Sequence, residues 1–305
     1  MRRVTRFLTI LAYLALPIAA QANDKLTLLY APTTGLMPSY IAKDEGIFEK
    51  HGLDVDLVLL TNQGAVISAL MGGTAQIVTP SALAVIQADD AGLDIVFVAS
   101  SAMSPSASHT GVFVKKESNL HVARDLIGRK VGVPSLNTLI HVMARRWLKE
   151  QGVDYNQVNF AEVGFQQMAD VLSSGVLDAV YAIEPYYNRV AEVGYTIGDP
   201  DATLPKRTLT SVYATTREWA EAHPATIRAF RQSLGDAIAF IAGNEAAARQ
   251  SLVKYTRQRP DIVASATLPV LEVTVEPRQV QFFIDLAREQ GLIKSSPDAA
   301  AMIAP

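Results

Sequence analysis

The chain has 305 residues, 27 of them basic and 30 acidic, with no cysteine and 49% hydrophobic residues. That balance gives no electrostatic footing for nucleic acid or an anionic membrane. The missing thiol excludes disulfides, thiolate metal sites and cysteine lipidation.

The N-terminus reads as a secretory leader. Arg2, Arg3 and Arg6 form a basic start, residues 7–20 an apolar run too short to span a bilayer, and Ala20-Gln21-Ala22 an A-x-A cleavage pattern. Cleavage there would take the net charge from −3 to −6, because three basic residues and no acid leave. A periplasmic protein without a stable membrane anchor is the expectation.

After the leader, strand-like and helix-like patterns alternate, which predicts an α/β fold with largely parallel sheets. Strands are expected at 26–30, 55–60, 76–78 and 94–99, and helices at 38–51, 64–71 and 81–88. The Ser- and Ala-rich stretch 100–111 reads as loop. The pattern then restarts, with strands at 111–116, 129–134, 158–163 and 179–183. Helices are expected between them at 122–126, 138–151 and 166–173. A strand at 208–215 leads into helices at 217–222 and 224–243, and the remainder reads as helical through Leu286. Two α/β units with a helical tail follow.

Several segments, in order, resemble the periplasmic substrate-binding proteins of nitrate, taurine and alkanesulfonate importers. These are Tyr40-Ile41-Ala42-Lys43-Asp44-Glu45-Gly46-Ile47-Phe48, the run from Gln63 to Ile77 around Met71-Gly72-Gly73-Thr74, and the run from Asp125 to Pro134. Ser174-Gly175-Val176-Leu177-Asp178-Ala179-Val180, Glu184-Pro185-Tyr186 and the run from Glu218 to Pro224 continue the likeness, which covers most of residues 26–230. The resemblance implies a two-lobed periplasmic binding protein of type II, with two chain crossings and a ligand cleft between the lobes. On that pattern residues 23–117 plus 208–305 form lobe one and 118–207 lobe two. It also implies a monomer that delivers a small-molecule ligand to an ABC permease and its ATPase, without a cofactor and without enzymatic chemistry.

Parallel sheets gather strand C-ends and helix N-termini on one edge, where ligands bind. The loops after the expected strands therefore supply the candidate site residues: Thr33, Thr34 and Met37, then Gln63, Ser81 and Ser101. Ser81 is equally well suited to capping a helix. In lobe two, Ser135, Asn137 and Thr138 precede a helix whose positive end suits a carboxylate or sulfonate, and the resemblance places an anion in this neighbourhood. Gln166 and Glu184 follow the next strands, the latter able to accept from an amine or hydroxyl. In the return strand, taurine-binding relatives keep an acid for the ammonium, whereas this chain has the uncharged Ser211. That departure favours an uncharged or purely anionic ligand.

The five histidines show neither HxxxH nor HExxH spacing, and there is no G-x-S-x-G, P-loop or G-x-G-x-x-G. Only His109 is kept as a possible cleft residue. Two other readings fit the bare lobes: a periplasmic sensing module for a signalling partner, and a carrier of a pyrimidine precursor. The related pyrimidine synthases use a cysteine-rich motif that has no counterpart here.

Overall fold

A computed structural model describes residues 23–60, 65–104 and 110–305. The leader, Gln63 and His109 lie outside the described residues.

In chain order the first stretch holds β1 (Asp24–Tyr30), α1 (Met37–Asp44), α2 (Ile47–Lys50), β2 (Leu53–Leu59) and α3 (Val66–Met71). It continues with β3 (Ile77–Val78), α4 (Ala82–Asp90) and β4 (Ile95–Met103). The second stretch holds β5 (Thr110–Lys115), β6 (Lys130–Val133), α5 (Leu139–Glu150) and β7 (Asn159–Glu162). After these come α6 (Met168–Ser173), β8 (Ala179–Ile183), α7 (Tyr186–Ala191) and β9 (Gly194–Gly198). The chain returns through β10 (Leu209–Thr216) to α8 (Arg217–Ala222), α9 (Pro224–Gly243) and α10 (Glu245–Thr256). It closes with α11 (Pro260–Ser265), β11 (Val270–Leu271) and α12 (Pro277–Glu289).

Two sheets result. One has the order β11-β4-β10-β3-β1-β2, the other β7-β6-β8-β5-β9. In the first, β1 pairs in parallel with β2 and β3, while β10 inserts antiparallel between β3 and β4. In the second, β6 runs parallel to β7 and β8, and β5 antiparallel to β8 and β9. Each sheet carries a buried apolar cluster on either face, which is why its strands read as near-continuous apolar runs.

Four sequence expectations change. The helix expected over 38–51 is two helices, because α1 ends at Asp44 and Gly46 turns the backbone left-handed, with φ 63°. The run Ser100–Met103 is not loop. It completes β4, all nine of whose residues are buried, and pairs with β10 and β11. Its small side chains answer a close approach: a Cβ on Gly35 would lie 2.1 Å from Ser211 Oγ and 3.2 Å from the Ala102 Cβ. The strand Thr110–Lys115, which the resemblance assigned to the first lobe, joins the second sheet through β8 and β9. Two further short strands appear: β9 had no sequence expectation, and β11 interrupts the stretch expected to be helical through Leu286. β9 is a five-residue edge strand whose Gly198 faces the Trp147 ring, where a Cβ would fall 2.3 Å from Cζ2.

Candidate ligand-binding site

Between the two sheets lies a cavity of about 190 Å³ walled by both. From the first sheet come the loop after β1 (Thr33, Thr34, Gly35), the loop after β3 (Thr79, Ser81), and Thr210 and Ser211 on β10. From the second come Ser135, Thr138, Phe165, Glu184 and Asp201.

The loop after β1 is fixed from below. The Tyr40 hydroxyl donates to the carbonyls of Ala31 at 2.9 Å and Thr33 at 3.3 Å, and Ala31 N–H donates to Thr79 Oγ1 at 3.0 Å. Burial pushes the Tyr40 phenol well above its ordinary value, so it stays a donor. Ser81 both caps and lines: its Oγ accepts from Ala84 N–H at 3.2 Å while facing the cavity.

In the second unit the loop after β6 is held by Glu162, whose Oε1 accepts from the Ser135 hydroxyl at 3.0 Å and the Leu136 N–H at 2.8 Å. His141 Nδ1 accepts from Asn137 N–H at 2.8 Å, which holds Asn137 at φ 59°. Burial and the Arg145 guanidinium lower His141 to about 4, so it remains the neutral acceptor this bond requires. The Thr138 hydroxyl donates to the Ser135 carbonyl at 2.9 Å. A hydroxyl has one proton, so Ser135 and Thr138 turn only lone pairs toward the cavity. The donors left for an anion at this end are the first-turn N–H groups of α5, which have no acceptor within the helix.

On the neighbouring strand Glu184 is buried, and its Oε1 accepts from Thr267 N–H at 3.1 Å. Asp201 accepts from the Tyr181 phenol, and its own N–H donates to Asp199 at 3.0 Å. Asp199 in turn accepts from Thr110. Burial and the Asp199 charge outweigh the Tyr181 hydrogen bond and raise the Asp201 carboxyl to about 6. Among the described residues lining the cavity, Glu184 and Asp201 are the only ionisable side chains.

Of the residues expected from sequence, Thr33, Thr34, Ser81, Ser135, Thr138, Glu184 and Ser211 line the cavity. Four do not. Met37 starts α1 and is fully buried in the core. Ser101 is buried in β4, with its Oγ 3.1 Å from the Tyr213 hydroxyl. Asn137 spends its backbone on His141 and on Gln87, whose Nε2 donates to the Asn137 carbonyl at 2.9 Å. Gln166 sits half-buried beside Phe165, and the ring, not the amide, reaches the wall. Sequence reasoning missed Asp201, Ser104 and Thr110. They border the two crossings between the sheets, where no apolar periodicity marks them.

The family described as NMT1/THI5 like matches residues 33–248. The taurine-binding periplasmic protein of Escherichia coli (strain K12) is 28% identical over 233 residues, covering 75% of this chain and 70% of that protein. The formylaminopyrimidine-binding protein of Halalkalibacterium halodurans is 33% identical over 141 residues, covering 46% of this chain and 41% of that protein. In three dimensions the chain is similar to the alkanesulfonate-binding protein SsuA from Xanthomonas axonopodis pv. citri bound to MOPS. The TM-score is 0.78 at 17% identity, over 93% of this chain and 99% of that one. At that identity the likeness speaks for the fold, which is that of a periplasmic binding protein.

Proposed function

The chain belongs to the NMT1/THI5-like family, and on that footing we propose that it is the periplasmic solute-binding subunit of an ABC importer. It captures a small organic molecule in the cavity between its two sheets and presents the closed form to a permease. The observation that carries this reading is the cavity itself, whose walls come from the units of both sheets. A solute touching both would be buried by hinge closure, and capture would need no covalent step.

Polar contacts bridge the two units on two sides of the cavity. The Tyr186 hydroxyl donates to the carbonyls of Pro32 at 2.9 Å and Thr256 at 3.4 Å. Asn188 donates to Ser265 at 3.1 Å, and Arg259 pairs with Glu192. On the second side Gln87 reaches the Asn137 carbonyl. On this reading these contacts form on closure and are given up on opening. No helix among the described residues is long and apolar enough to cross a membrane.

The test is a melting-temperature screen of residues 23–305, stripped of ligand, against sulfonates, carboxylates, nitrate, amino acids and aminopyrimidines. A solute that binds only the folded state stabilises it by mass action, by about 2.7 kcal/mol at a hundredfold excess over Kd, and so raises the midpoint. A clear rise with one class supports the reading; a folded sample that responds to none overturns it. The formylaminopyrimidine-binding relative favours keeping heterocycles in that panel.

A further inference from the structure

Resting on the reading that this cavity holds the solute, we propose that the solute presents N–H donors to Glu184 and Asp201. It is a small molecule bearing a protonated amine or an amino-heterocycle edge, not a bare anion.

The hydrogen-bond inventory of the wall carries the argument. Both ionisable side chains facing the cavity among the described residues are carboxylates, and no Lys, Arg or His joins them. Five wall hydroxyls have already given their protons to the protein. Thr79 donates to the Leu29 carbonyl at 3.2 Å, Ser104 to the Pro205 carbonyl at 3.3 Å and Thr110 to Asp199. Ser135 donates to Glu162 at 3.0 Å and Thr138 to the Ser135 carbonyl at 2.9 Å. What these groups offer inward is acceptor lone pairs. Other wall hydroxyls, Ser81 among them, keep a proton to donate, but two carboxylates with no cation beside them penalise a ligand that brings only further acceptors, since its lone pairs and theirs would face each other without a proton between.

The acids also have a place in the fold. Glu184 follows β8, and Asp201 follows β9, with Thr110 at the start of β5 between them. The α5 N-terminus follows β6, on the other flank of β8. Adjacent strands are about 4.8 Å apart, so Asp201, three strands from β6, and the helix end are separate positions along one sheet edge, with Glu184 between them. A solute that brings N–H groups to the acids has room for an anion at α5 as well. The neutral Ser211 on β10 argued from sequence against an aminated ligand. The structure supplies the negative charge from the opposite wall.

The experiment compares matched solutes by calorimetry on residues 23–305. Taurine and β-alanine are set against isethionate and propionate, which lack the amine. A 4-amino-5-aminomethylpyrimidine is set against its 5-hydroxymethyl analogue without the 4-amino group. The expected result is roughly tenfold or greater preference for the aminated member in at least one pair, the scale of a hydrogen bond to a charged group. Asp201→Asn and Glu184→Gln, which keep an oxygen for Tyr181 and Thr267, should each cut that preference to within about threefold. Equal or tighter binding of isethionate, propionate or nitrate would overturn the proposal and leave the solute-binding reading standing. Binding of none of the aminated solutes would also overturn it, and the wider screen above then decides the reading beneath it.

Discussion

Two titratable groups, Asp201 on the cavity wall and His141 under Asn137, pull stability in opposite directions with pH. Asp201 has a folded value near 6 against an ordinary 3.8, raised by burial and by Asp199. For an acid this means the fold bears a cost above pH 6 that fades as pH falls toward 4. The full cost is about 3 kcal/mol from the two values. Asp201→Asn should therefore raise the melting midpoint of the ligand-free protein at pH 7.5 and remove its gain on mild acidification. His141 behaves in the other sense. Its folded value near 4 lies below the ordinary 6.5, so its contribution is complete above pH 6.5 and is lost as pH falls from there through 4. His141→Ala should lower stability at pH 7.5 by about 1–2 kcal/mol, because Asn137 N–H loses its acceptor, and should flatten the acid limb. Thermal melts of both variants from pH 4 to 8 check the two signs together.

At the scale of elements, the close pass of the loop after β1 over β4 and β10 is the most constrained feature. Gly35→Ala would drive a methyl into Ser211 Oγ, and overpacking of this kind costs about 1–3 kcal/mol. Because Ser211 lines the cavity, the same substitution should weaken solute binding; urea melts and calorimetry on one sample measure both. This contact also explains what the sequence left unread. Apolar runs and Gly turns made most of the strands and helices legible, down to Ala179–Ile183, Arg217–Ala222 and Pro224–Gly243, whose bounds match. Ser100–Met103 misled because small residues mark both loops and tightly approached strands, and only the distant Gly35 tells which. Candidate residues placed directly after buried strands, such as Thr33, Ser135 and Glu184, reach the wall. Met37 does not, since one further residue carries the chain into α1 and the core. Asp201 was hidden because its position depends on β9, an edge strand of five residues with little apolar signal.

For the molecule as a whole, the proposed closure would rest on contacts that both units give up to open. Gln87→Ala deletes the donor to the Asn137 carbonyl without touching the cavity wall. It should shift the population toward the open form, with a larger radius of gyration in solution scattering and a several-fold weaker Kd, the fold itself being unaffected. A different consequence lies in the order of the first sheet, where β10 occupies the place between β3 and β4. The second sheet is drawn from one continuous stretch, 110–198, and is complete once that stretch exists. The first must keep an open slot at its centre until residues 209–216 arrive, and its contacts span far more of the chain, which slows their formation. A ribosome or translocase delivering the chain from its N-terminus would thus release the later unit already assembled while the earlier one still waits. Residues 105–205 alone should give a cooperative melt, and residues 23–104 alone should not.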